Sequence, residues 1–124
     1  MKTLLEITVR LLETIRIDRA AVITFDGEAH SAFFDGKIYG KGADTQIRNA
    51  DGSVRLSARY VLRGRDFTGA ECNIFIENSA FSGEEETHPV IYTDSAALKE
   101  WETLPLKGKI RSEKGFLKIV LFTS

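Results

Sequence analysis

The chain has 124 residues, 43% of them hydrophobic and 28% charged, with a formal net charge of −1. This is the balance of one packed globular domain spanning residues 1–124, not of a disordered tail. A net charge near zero with no basic stripe argues against nucleic acid as a partner. No run is long and apolar enough for a membrane-spanning helix. Acids and bases are interspersed except at Glu84, Glu85 and Glu86, which read as a solvated loop tip. Cys72 is the only cysteine, so no intrachain disulfide can form. Together with charges at Glu6, Arg10 and Glu13 that interrupt any leader-like apolar run, this leads us to expect a cytoplasmic protein.

The first segment alternates, with Leu5, Ile7, Val9 and Leu11 on one parity and Glu6, Thr8 and Arg10 on the other. A helical stripe through Leu4, Leu5, Leu11 and Leu12 competes. The β-branched Ile7, Thr8 and Val9 favour a strand, bent or bulged toward Ile15 and Ile17. Asp26-Gly27 and Asp35-Gly36 read as turns bracketing a strand from Glu28 to Phe34, and Asp51-Gly52 reads as a third turn. Between them lie a short strand over Lys37–Gly40 and a segment in which Asp44 and Gln46 share a face.

The clearest strand sets Val54, Leu56, Ala58, Tyr60 and Leu62 against Arg55, Ser57, Arg59, Val61 and Arg63. A loop over Gly64–Gly69 joins it to a strand over Ala70–Asn78. Pairing Arg63 with Glu71 sets Leu62 on Cys72, Tyr60 on Ile74 and Ala58 on Ile76, so apolar meets apolar. Another strand covers His88–Thr93. Asp94 and Ser95 are competent N-caps for a short helix over Ala96–Thr103 carrying Leu98 and Trp101, and Pro105 stops it. Strands over Leu106–Arg111 and Phe116–Thr123 close the chain. The last is apolar on both parities. That asks for an outer cover, either the helix near Trp101 or a second subunit, and predicts a homo-oligomer, a dimer or larger. Short strands with glycine-rich turns and one helix near residues 95–103 give an all-β barrel or sandwich.

The stretch Gly40-Lys41-Gly42-Ala43-Asp44-Thr45-Gln46, then Asp51-Gly52-Ser53, then Leu56-Ser57-Ala58-Arg59-Tyr60-Val61-Leu62, resembles a microbial family of domains of unknown function. Its members carry a Gly-Gly-x-Asp-x-Gln segment, an Asp-Gly turn, an Asp-Ala-Arg-Tyr strand and a strand ending in Asn-x-Gly. Here Lys41 replaces the first glycine, Ser57 the aspartate, and Asn78-Ser79-Ala80 the Asn-x-Gly ending. Tyr92, Asp94, Trp101 and Leu106-Lys107-Gly108 resemble the family's closing part. The resemblance implies a single calycin-like antiparallel β-barrel of about 8–10 strands, as in lipocalins and allene oxide cyclases. It implies no activity.

The candidate ligand-binding residues are Arg59, Tyr60, Asp44, Gln46, Glu77 and Asn78. An arginine at a barrel mouth offers a planar fork to a carboxylate. The competing reading is that Arg59 pairs with Glu77 on a solvated face, and the direction of its side chain decides between them. Asp44 and Gln46 supply hydrogen-bonding groups, or else only turn chemistry. Tyr60 supplies a hydroxyl, or else only core packing. Cys72 lies on the apolar parity, where an inert thiol is expected. His30 and His88 have no ligand-spaced partners, so no metal site is expected, and no cofactor motif occurs. The expected function is binding of a small organic ligand, apolar or carboxylate-bearing. The alternatives are an isomerase or cyclase of the allene oxide cyclase style, and a structural, oligomer-forming barrel.

Overall fold

The computed structural model describes residues 1–124 as nine antiparallel strands: β1 (Lys2–Ile17), β2 (Ala20–His30), β3 (Phe34–Ile38), β4 (Gly42–Arg48), β5 (Val54–Asp66), β6 (Glu71–Phe81), β7 (His88–Thr93), β8 (Leu106–Glu113) and β9 (Phe116–Thr123). The sheet order is β7-β6-β5-β3-β2-β1-β9-β8. β4 continues β3, since both lie between β2 and β5. A bridge between Thr87 and Gly108 draws β7 to β8 and closes the ring. The result is an all-β barrel consistent with a calycin-like architecture. It contains no helix long and apolar enough to cross a membrane.

The alternation at the N-terminus is a strand, and it bulges at two places. One bulge falls between Leu11 and Glu13 against β2, the other between Thr3 and Leu5 against β9. The second gives Leu4 and Leu5 each a place in the core, where both are fully buried. Of the three Asp-Gly pairs only Asp51-Gly52 is a turn, with Gly52 at φ 90°. Asp26-Gly27 lies inside β2 and Asp35-Gly36 inside β3. A side chain at Gly27 would collide with the Thr8 carbonyl of β1. Here the glycine permits close strand approach instead of a turn.

The β5–β6 hairpin departs from the expected register by two residues. Arg63 faces Asn73, Leu62 faces Ile74, Tyr60 faces Ile76 and Ala58 faces Asn78. The cause is Asp66, whose carboxylate accepts hydrogen bonds from the Thr68 amide, the Thr68 hydroxyl and the Ala70 amide. That tight turn lets β5 run on through Gly64 and Arg65, and Arg65 takes Glu71 at 3.1 Å. A two-residue shift preserves parity, so the apolar face remains intact.

The expected helix contracts to one 3₁₀ turn over Lys99–Glu102. It does not lie outside β9. Leu98 and Trp101 are buried in the core, with Trp101 edge-on to Phe33 at 6.0 Å, and they plug the barrel end where β1 starts and β5 finishes. Ser95 anchors this plug: its hydroxyl donates to Asp66 and accepts the Leu98 amide. On β9 itself, Phe122 is already covered within the chain, with the Lys109 ammonium 5.7 Å from its ring.

Candidate functional site

Inward parity on three adjacent strands creates the site. Asp44 of β4 faces Ala58 of β5, and Ala58 faces Asn78 of β6. One step deeper Tyr60 lies beside Ile76, and one step toward the open end Gln46 lies beside Leu56. Ala58 is small and leaves room between its two polar neighbours. Thr87, at the β7–β8 seam, completes the far wall. Asp44, Leu56, Ala58, Tyr60, Asn78 and Thr87 line a cavity of about 90 Å³ whose other walls include Val9, Phe25 and Ile119, while Gln46 reaches it only through its bond to Asp44. The Phe25 ring meets Tyr60 edge-on at 5.5 Å and holds the phenol in place.

The polar atoms here are poorly served by the protein. The Tyr60 hydroxyl, Asn78 Oδ1 and Thr87 Oγ1 are buried without a hydrogen-bond partner in the chain. Burial pushes the Tyr60 pKa above the ordinary phenol range, so the hydroxyl keeps its proton. Gln46 Nε2 donates to Asp44 Oδ2 at 3.0 Å. Burial raises the Asp44 pKa all the same, outweighing that bond and the Ser57 backbone amide. No lysine or arginine lines the cavity.

Four of the six candidate residues, Asp44, Gln46, Tyr60 and Asn78, therefore converge on the inner face. Arg59 and Glu77 do not. They pair with each other on the outer face, Arg59 Nε donating to Glu77 Oε2 at 2.7 Å with both side chains substantially exposed. Arg63 likewise points outward, bonded to Asn73 and stacked on Tyr39 at 3.7 Å. Cys72 is buried, as its parity requires. His30 and His88 bond separate carboxylates, Asp35 and Glu84. Thr87 escaped the sequence reading. It follows the acidic loop with no local signal, and only the bridge to Gly108 carries it to the cavity.

Residues 3–102 match the family model described as "Protein of unknown function (DUF3237)". The chain belongs to that family. The five inward polar residues all fall inside the matched DUF3237 segment, whereas β8 and β9 lie beyond it. No curated protein matches the chain. Among solved structures, a protein of unknown function from Clostridium acetobutylicum ATCC 824 is 22% identical with a TM-score of 0.81, over 99% of this chain and 94% of that one. A β-barrel-like protein from Acinetobacter baumannii AYE is 17% identical with a TM-score of 0.77, over 98% and 93%. A protein from Penicillium herquei, described as an enzyme, is 22% identical with a TM-score of 0.65, over 98% and 95%. At these identities the likeness is one of fold.

Proposed function

We propose that this DUF3237 chain binds a small, neutral, hydroxyl- or carbonyl-bearing organic molecule, its polar end in the barrel cavity and its apolar body at the open end. The observation that carries this reading is the group of three buried polar atoms without protein partners, on Tyr60, Asn78 and Thr87, around an otherwise apolar cavity. Each unpaired buried group costs about 1–3 kcal/mol, which a ligand of matching chemistry recovers. The size of the cavity admits a polar head and no more, since drug-sized pockets run to roughly 300–1,000 Å³. A carboxylate ligand is disfavoured, because no cation lines the wall and Asp44 stands there.

An enzymatic version has one observation in its favour: Asp44 is a carboxyl whose affinity for a proton is raised by burial, close to the Tyr60 phenol. Such a group can hold and return a proton. The structural neighbour described as an enzyme is compatible with that version.

The test is a calorimetric titration with matched probes, a phenol, an aliphatic alcohol and a carboxylate of one carbon skeleton. The phenol and the alcohol bind, the carboxylate does not, and Tyr60→Phe weakens binding about tenfold. Tighter binding of the carboxylate, or phenol and alcohol affinities unchanged in both Tyr60→Phe and Asn78→Leu, refutes the reading.

A further inference from the structure

The outer face of β1, β2 and β4 near the open end stands apart from the rest of the surface. Strand pairing lays out three rows: Glu13, Thr24 and Ala43; Ile15, Val22 and Thr45; Ile17, Ala20 and Ile47. Eight of these nine positions are uncharged. Ile15, Val22, Ile17 and Ile47 are 50%, 38%, 71% and 44% exposed. Exposed sheet faces normally carry charge, and a contiguous apolar patch of this kind marks an interaction surface. Much of the rest of the barrel's outer face does carry it, as with Arg59, Glu77, Arg65 and Glu71, although Val61, Phe75 and Tyr92 form one narrower apolar row.

We propose that this face packs against the same face of a second copy of the chain, about a two-fold axis running along the strands between β2 and β4. That operator places each β2 residue over its own cross-strand neighbour of β4 in the other copy. Ala20 then lies under the partner's Ile47, Val22 under the partner's Thr45, and Thr24 under the partner's Ala43, so small meets large at the Ala20–Ile47 end, which the two-fold repeats. On the flanks β1 lies over the partner's β5. Ile15 lies over the partner's Ser57, which is itself buried, Ile17 packs on the aliphatic stem of the partner's Arg55, and Glu13, which makes no ion pair within its own chain, meets the partner's Arg59. Facing sheets with nearly aligned strands are a standard packing.

The area fits. Three strands by three rows measure roughly 15 Å by 20 Å, and the accessible surface of such a patch is on the order of 400–500 Å². Two copies remove about 800–1,000 Å², and the β5 surface that β1 covers, with Arg55 and Arg59, brings the contact past the roughly 1,000 Å² that marks the lower end of specific interfaces. The occupant is a copy of the chain because the pattern of small and large residues is its own complement.

Sedimentation equilibrium on the full chain tests this. The parent protein is a dimer at micromolar concentration. Ala20→Arg, at an exposed position, raises the dissociation constant about a hundredfold while leaving the circular dichroism and melting of the subunit intact. Ala20→Ile crowds the contact and Ile47→Ala empties it, so each alone weakens association. The double variant Ala20→Ile with Ile47→Ala exchanges knob and hole and restores association to within a few-fold of the parent. A monomeric parent overturns the proposal. So does a dimer indifferent to Ala20→Arg, or a double variant no better than its two singles.

Discussion

The two ends of the barrel are built on opposite principles. At the plugged end, Leu98 and Trp101 fill the barrel, and the surrounding polar groups are each answered: Asp66 by Thr68, Ala70 and Ser95, Asp94 by Asn73, Glu102 by Thr93 and Lys99. At the open end, Tyr60, Asn78 and Thr87 keep polar atoms unanswered around a cavity. The titration behaviour divides the same way. Hydrogen bonds hold Asp66, Asp94 and Glu102 below their ordinary values, whereas burial holds Asp44 above its own. One end is satisfied and contributes stability. The other keeps uncompensated polarity, which is what a recognition site requires.

Substitutions at the two ends should therefore respond differently. The largest effect is expected at the plug. Trp101→Ala should cost about 3–5 kcal/mol in urea unfolding, since it empties a fully packed position. Next comes acid. A carboxylate whose folded pKa is depressed contributes stability above its unfolded pKa, and that contribution is lost as pH falls through the folded value. Stability should thus decline below about pH 4, and Asp66→Asn should be less stable at neutral pH with a shallower acid decline, as read by denaturant midpoints across pH.

At the open end the signs reverse. Tyr60→Phe removes a buried hydroxyl that has no partner, so the folded state should be unchanged or about 1 kcal/mol more stable, even as ligand affinity falls. Asp44→Asn should raise the melting temperature at neutral pH. Its folded pKa is raised, so the parent loses stability as pH climbs past the unfolded value, and the advantage of the variant should vanish below about pH 4. A destabilised Asp44→Asn at neutral pH would break the contrast between the ends. The smallest effect is expected at Arg59. Its partner is Glu77 on the outer face, and ligand affinity in calorimetry should not change in Arg59→Ala.

The all-β class, the strand character of the N-terminus and the parity of β5 and β6 could be read from the chain, because alternation and β-branching are local properties, and the family was legible in the resemblance carried by Gly40–Gln46, Asp51–Ser53 and Leu56–Leu62. Asp44, Gln46, Tyr60 and Asn78 were legible as candidates for the same reason: parity on a strand survives any register shift by two. What could not be read is what depends on partners distant in sequence. Gly27 and Gly36 look like turn residues until the neighbouring strand is present to need the space. The register of the hairpin depended on a side chain, Asp66, that closes its own turn. Thr87 became a wall of the cavity only through the seam with Gly108. The inward or outward sense of Arg59 was invisible because alternation defines two faces without saying which one the barrel closes around. That choice was made by ring closure, which turned the apolar face of β5 and β6 inward and left the arginines to solvent.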